Sequence, residues 1–277
     1  MGNSLRDLQL AETKMLKDIT EFCDANDIVY FLCGGSLIGA LRHKGFIPWD
    51  DDIDICMDIK NYRKFLKLAS TGGLTNKYFL QNYETDPKAF YPWTQIRMKG
   101  TTSMPRDMIG YDIHYGICMD VFPFTQYART ILGRKLQALA IPIMLTLIEK
   151  HYCEFKKIPM TRKRYIITSL VPEFLRIPVM RLCEKLMFVE LHDDGECFSL
   201  DRMNLDAQPK FPRSVLDSDK RVKVTFENIK VWTFGECEMV LEKTYGDWRT
   251  LPPEEQRHGH GDIIIDTEKN FTEYQHK

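Results

Sequence analysis

The chain has 277 residues, of which 44% are hydrophobic and 28% charged, and its net charge is −1. That length allows one large domain, or a domain with an insertion, around a sizeable core, and the composition is that of a soluble globular protein. With no overall field to attract a polyanion, nucleic acid is excluded as a general partner.

The opening residues, MGNSLRDLQL, lack the charged-then-apolar layout of a secretory leader, and Arg6 stands where a myristoylation signal needs Ser or Thr. Eight cysteines are dispersed with no C-x-x-C pair among them. This argues against a structural zinc site and for a reducing compartment, most simply the cytoplasm.

From Leu5 to Asp24, apolar residues recur every three or four positions (Leu8, Ala11, Met15, Ile19, Phe22), which predicts an amphipathic helix. Asn26-Asp27 ends it, and Ile28 to Cys33 reads as a buried strand running into Gly34-Gly35-Ser36. A short helix is predicted over Leu37 to His43, with Ser36 as its cap. A helix start after a glycine pair offers free N–H groups and the positive end of the helix dipole, so Gly34, Gly35 and Ser36 are candidate phosphate contacts. Arg42 and Lys44, at the far end, either contact phosphate or partner the helix C-terminus.

Four aspartates then fall within five residues: Asp50, Asp51, Asp52 and Asp54. Asp52-Ile53-Asp54-Ile55 alternates acid and apolar residues, which is strand periodicity and sends both carboxylates to one face. Like charges that close repel, and a cation between them is the simplest remedy. Carboxylate oxygens suit Mg²⁺ or Mn²⁺ rather than zinc. Asp50 and Asp51 read either as groups orienting Arg42 or Lys44, or as turn acids.

Ile59 to Ala69 has helical spacing and ends at Thr71-Gly72-Gly73. Tyr78 to Tyr83 and Thr94 to Met98 are predicted strands around the aromatic loop Phe90-Tyr91-Pro92-Trp93, with Arg97 and Lys99 as further phosphate candidates. After a polar stretch from Lys99 to Tyr115, the apolar run Ile117 to Phe122 carries one acid, Asp120. A lone carboxylate in an apolar strand is costly unless paired or metal-bound, which makes Asp120 the natural third ligand from a neighbouring strand.

Between Arg129 and Glu190, twelve basic residues face five acids, interleaved with apolar segments such as Leu136 to Ile148. That segment contains Pro142 and is shorter than the roughly 20 apolar residues a bilayer span needs. A helical segment with a solvated basic face is the plain reading, and a surface resting on anionic lipid headgroups the sharper one. Predicted strands follow at Val222 to Phe226 and Lys230 to Phe234, then a helix from Glu236 to Tyr245. The end of the chain, Asp262 to Lys277, is polar apart from Ile263-Ile264-Ile265.

Taken together, GGSLIGALRHKGFIPWDDDIDICM, ICMDVFPF and YGDWRTLPPEEQR resemble the LicD family, which includes bacterial phosphocholine transferases and, more distantly, fukutin and fukutin-related protein. The resemblance implies a nucleotidyltransferase-like α/β (α+β) fold, a mixed sheet flanked by helices. It also implies a catalytic core over 1–128, a basic and apolar helical insertion over 129–194, and a C-terminal part over 195–277 completing the core. The implied reaction moves a phosphorylated alcohol, most simply phosphocholine, from a CDP-activated donor to a hydroxyl of a glycan or its lipid-linked precursor, releasing CMP. In that pattern Gly35 and Ser36 bind donor phosphates, while Asp52, Asp54 and Asp120 hold the divalent metal and are the catalytic carboxylates. Gly34, Arg42, Lys44 and Arg97 join the donor-binding candidates.

Choline is a quaternary ammonium, which aromatic faces bind by cation–π attraction. Trp49, Tyr91 and Trp93, then Tyr111 and Tyr115, are the aromatics nearest the acid strands in sequence. His258 and His260 read as solvated residues, with donor phosphate contact as the alternative, and His114 is a remote candidate for a base or ligand. Rival readings are a ribitol-phosphate or glycerol-phosphate transferase, a small-molecule nucleotidyltransferase, and a non-catalytic scaffold for glycan assembly. The expected location is cytoplasmic, with peripheral contact at the inner face of the membrane.

Overall fold

The computed structural model describes residues 4–192, 195–199 and 209–275, and among them nine strands join one mixed sheet. Helix α1 (Leu5–Ala25) opens with a capping box in which Ser4 and Asp7 satisfy each other's backbone N–H. It buries Leu8, Met15, Leu16 and Ile19. Strand β1 (Phe31–Leu32) is shorter than predicted because the Val29 N–H donates to Asn61 Oδ1 at 2.9 Å instead of entering a ladder.

Helix α2 (Gly34–Arg42) starts three residues earlier than predicted, and Cys33, not Ser36, is its N-cap residue. Gly34 makes this start feasible, since its φ of +59° is open to glycine and strained for other residues. Strand β2 (Asp54–Asp58) leads into α3 (Ile59–Ala69), whose N-cap Asp58 accepts from the Asn61 N–H. Strands β3 (Tyr78–Gln81) and β4 (Thr94–Met98) form an antiparallel pair.

The polar stretch after β4 holds an unforeseen strand, β5 (Thr102–Pro105). Strand β6 (Cys118–Gln126) follows and outlasts the predicted run by four residues. Four helices then intervene: α4 (Ile131–Ile148), α5 (Lys150–Phe155), α6 (Arg162–Leu170) and α7 (Glu173–Met187). Helix α4 begins at the Thr130 cap and runs through Pro142, so the apolar helix is 18 residues long rather than the shorter segment read from sequence.

The chain returns through β7 (Glu196–Ser199), which pairs with the end of β6, and β8 (Phe211–Pro212), neither anticipated from sequence. It continues through β9 (Val222–Phe226), β10 (Ile229–Thr233), α8 (Cys237–Tyr245) and β11 (Ile263–Asp266).

The main sheet runs β3-β4-β6-β2-β1-β10-β9, with β2–β6 and β1–β10 parallel and the other pairs antiparallel. Strand alternation divides its side chains between two cores. Leu32, Ile55 and Met57 face a large cluster shared with α1, α3, α4 and α7, whereas Phe31 and Cys56 face a smaller one under α8. Strand β11 pairs with β5 in a separate two-stranded sheet, which brings the end of the chain back beside the central strands. Among the described residues, none of the eight cysteines is paired in a disulfide.

Candidate active site

Asp54 opens β2, and its register partner on the parallel strand β6 is Asp120. The Asp120 N–H donates to the Ile53 carbonyl at 2.9 Å, so the acid-bearing ends of the two strands are tied together at that point. Asp52 lies just ahead of the regular strand, and Asp51, Asp52, Asp54 and Asp120 all line one cavity of about 340 Å³. The structure therefore brings the three sequence-predicted metal ligands into a common cavity.

Asp54 also borders a second, more apolar cavity of about 100 Å³, shared with Gly34, Phe122, Phe211, Phe234 and Tyr245. A Cβ at residue 34 would lie 2.2 Å from Asp54 Oδ2, so the first turn of α2 and this carboxylate are in direct contact. Ser36 is buried, and its hydroxyl accepts from the Asp54 N–H at 2.9 Å. Its hydroxyl thus fixes the start of β2, and it does not cap α2.

The cluster is dense in buried negative charge. Burial, and then repulsion from Asp50, pushes Asp52 up to about 7. Burial and Asp52 push Asp120 up to about 6, against a hydrogen bond from the Gln95 amide at 2.7 Å. Burial and Asp52 hold Asp54 well above the usual carboxylate range. Asp50 rises to about 6, mainly through burial.

His260 answers part of this charge. Its backbone N–H and Nδ1 both reach Asp51, at 3.1 and 2.6 Å, and its imidazole rises to about 9, chiefly through that hydrogen bond. Ligand atoms of Asp50, Asp52 and His260 lie within 4.8 Å of one another.

Glu12 was not foreseen. It is 1% exposed, and one of its carboxylate oxygens is buried without a hydrogen-bond partner. One turn earlier on α1, the Gln9 amide donates to the Asp50 carbonyl at 3.0 Å, which sets this face of the helix against the acid loop. Burial, then the charge of Asp52, raises the Glu12 carboxyl well above its ordinary range. A signal existed in the sequence: Glu12 is the single acid on the buried stripe of α1, four residues from both Leu8 and Leu16. His260 had no local signal, because it reaches Asp51 across 209 residues of chain.

These donors fit a hard divalent cation. The set is carboxylate oxygen with one imidazole, its charge is compensated within the protein only in part, and Glu12 contributes an orphaned buried oxygen.

Of the other sequence candidates, Arg97, Tyr91, Trp93 and Tyr115 line the larger cavity. Arg97 is held there by Gln81 and by the Gly116 carbonyl, at 2.7 and 3.1 Å. Arg42, Lys44, Lys99, Trp49, Tyr111, His258 and His114 line neither of these two cavities. Arg42 donates to the Trp248 carbonyl at 3.0 Å at the far end of α2, and Lys44 turns back onto the Leu41 carbonyl. Lys99 donates to the Thr75 carbonyl, Trp49 lies under the Arg257 guanidinium, and Tyr111 donates to the Lys88 carbonyl. His258 is exposed beside the Gly259 carbonyl. His114 stacks on Phe79 and accepts from the Gly116 N–H, with burial pushing its imidazole down to about 4, so it serves the loop structure. Asp50 and Asp51 are engaged with Asp52 and His260, and the structure pairs neither with Arg42 or Lys44.

Comparison with known proteins matches residues 27–136 to the family model described as LicD/FKTN/FKRP, nucleotidyltransferase domain. The lipopolysaccharide cholinephosphotransferase LicD of Haemophilus influenzae is 49% identical over 63 residues, 23% of this chain and 24% of that protein. An uncharacterized protein of Rickettsia prowazekii is 48% identical over 42 residues, 15% of this chain and 16% of that protein. The aligned part is thus about a quarter or less of the length of these relatives.

Proposed function

Because residues 27–136 match the LicD/FKTN/FKRP nucleotidyltransferase-domain model, we infer a metal-dependent phosphocholine transferase. It takes the phosphorylated alcohol from a CDP-activated donor, delivers it to a hydroxyl of a glycan or its lipid-linked precursor, and releases CMP. The observation that carries this reading is the register of Asp54 against Asp120 on parallel strands, with Asp52 in the same cavity and the glycine start of α2 in contact with Asp54. A helix N-terminus beside a carboxylate cluster suits a pyrophosphate, whose charge the helix end and a cation held by the carboxylates would together offset.

Asp52, Asp54 and Asp120 are the residues that would hold Mg²⁺ or Mn²⁺, with Asp50, His260 and Glu12 around them. When bound, the ion neutralises phosphate charge and favours the ionised form of the acceptor hydroxyl. The chain's own groups do the rest. The N–H groups of Gly34 and Gly35 face the donor phosphates, and Arg97 supports the same charge from the cavity wall. The acceptor oxygen forms a bond to the phosphorus that bears the alcohol. The bond from that phosphorus to the bridging oxygen breaks, and the oxygen leaves on CMP. Asp120, on the wall of the same cavity, takes the acceptor's proton.

Tyr91, Trp93, Tyr115 and Phe122 give the larger cavity aromatic faces, which suit a quaternary ammonium better than a polyol. The nucleotide end of the donor then lies toward the smaller cavity, which borders both Asp54 and Gly34.

The test is CMP release from a panel of CDP-alcohols with Mg²⁺. Turnover of CDP-choline with a glycan acceptor is expected. Turnover of CDP-ribitol or CDP-glycerol alone would reassign the alcohol. ATP turnover releasing pyrophosphate would make the protein a nucleotidyltransferase. Unchanged Mn²⁺ binding in Asp52→Ala would favour a scaffold.

A further inference from the structure

Among the described residues, fifteen large hydrophobic side chains are exposed, and eleven of them fall between Ile131 and Leu182, on α4 to α7 and the connection after α5. Scattered apolar residues need no explanation, but a concentration on one group of helices does.

On α4, Leu132, Leu136 and Leu139 are exposed at helical spacing, while the opposite face, including Gln137, Ile141 and Ile148, is buried. On α7, Phe174 and Leu182 are exposed two turns apart, while Met180, Cys183 and Met187 are buried. The Gln137 amide donates to the Met187 carbonyl at 3.0 Å and Arg176 to the Leu147 carbonyl at 3.5 Å, so α4 and α7 run antiparallel. Both bury their inner faces in the same core cluster, so their outer faces look away from it together. Helix α6 packs on α4, buries no residue fully, and exposes Leu170 at 75%.

The charge on these helices is one-sided. Residues 129–190 carry twelve Lys and Arg against five Asp and Glu. The acids are largely engaged: Glu149 with Arg164, Glu173 with Lys150 and Arg176, Glu184 with Tyr83, and Glu190 with Arg63. Exposed Lys135, Arg162, Lys163 and Lys185 have no ion-pair partner among the described residues.

We propose that the outer faces of α4, α6 and α7 form a docking surface for an anionic lipid bilayer. Leucines and Phe174 enter the headgroup boundary, and the surrounding lysines and arginines meet lipid phosphate. A second copy of the chain is disfavoured as occupant, because two such faces would bring like charges together. Spanning is disfavoured as well, because the inner face of α4 is committed to the protein core and to the Gln137 hydrogen bonds. The surface does not depend on the proposed chemistry, so vesicle binding tests it with no donor or acceptor present.

The experiment is co-sedimentation of the full chain with phosphatidylcholine vesicles, with or without an equal share of phosphatidylglycerol, at low and high salt. Binding to the anionic vesicles that weakens with salt is expected. Leu132→Glu/Leu139→Glu/Phe174→Glu changes exposed side chains only and is expected to lower vesicle affinity at least about 10-fold. Lys135→Glu/Lys163→Glu is expected to erase the preference for anionic over neutral vesicles. The single exchange Phe174→Ser serves if the triple variant does not fold, and it too is expected to weaken binding. The proposal is overturned if the wild-type chain ignores anionic vesicles or the folded variants bind as it does. A wild-type dimer that these same substitutions make monomeric would give the surface to a second copy instead.

Discussion

Gly34 and Asp54 share a space that admits no further atom: a Cβ on residue 34 would stand 2.2 Å from the Asp54 carboxylate, and the residue 34 backbone has a φ of +59°. Gly34→Ala is therefore expected to destabilise the fold by about 1–3 kcal/mol through backbone strain and to push Asp54 from its position. Urea unfolding measures the first effect and Mn²⁺ titration the second. A variant as stable as wild type with normal metal binding would refute the close packing.

Asp54→Asn keeps the side-chain shape and removes one ionisable group from a crowded buried cluster. Transfer is expected to fall by about 100-fold or more, the scale seen when a group stabilising transition-state charge is lost. The melting temperature in EDTA should hold or rise, because repulsion is relieved. A steep fall in melting temperature without metal would mean that Asp54 is structurally essential.

Glu12→Gln separates burial from charge. Its carboxyl is fully enclosed, has an unpartnered oxygen and feels Asp52 most strongly among its charged neighbours. The amide should raise stability in EDTA and weaken Mn²⁺ binding about 10-fold, the lower end of what losing a metal-supporting group costs. Unchanged Mn²⁺ affinity would reduce Glu12 to a packing residue.

Stability without metal should fall as pH rises. Asp50 and Asp120 have carboxyls near 6 and Asp52 near 7, above the 3.8 of an ordinary aspartate, so the folded chain binds protons more tightly than the unfolded one. Their contribution is complete below pH 3.8 and is lost as pH climbs through 6 and 7. His260, raised from 6.5 to about 9, loses its contribution in the same direction at higher pH. Thermal melts in EDTA from pH 5 to 8 should drop, and Mg²⁺ should restore more at pH 8 than at pH 5, because metal competes with protons for the carboxylates. Melting temperatures that climb over this range in EDTA would contradict the burial and repulsion that set these values.

Trp93→Leu tests the aromatic wall. Trp93 lines the cavity with its ring centroid 4.9 Å from that of Phe122. If it faces the ammonium, KM for CDP-choline should rise roughly 5- to 30-fold, a loss of about 1–2 kcal/mol, while an uncharged CDP-alcohol is little affected. Equal effects on both donors would assign Trp93 to shape alone.

The amino-acid order by itself determined those features that depend on near neighbours. Helices α1 and α3 and strand β4 follow from the period of their apolar residues, and the alternation around Asp54 and the single acid of β6 marked the centre of the site. Only the tertiary structure decided which charges meet. The end of α2 carries Arg42 to Trp248 and away from the cavity, whereas the packing of α1 delivers Glu12 and a distant loop delivers His260. Strands β5 and β11 escaped notice for the same reason, since each is completed by the other across most of the chain. Periodicity reports on the face a residue presents within its own element. Which carboxylate, imidazole or guanidinium stands opposite is set by how the elements pack, and that is information no short stretch of sequence contains.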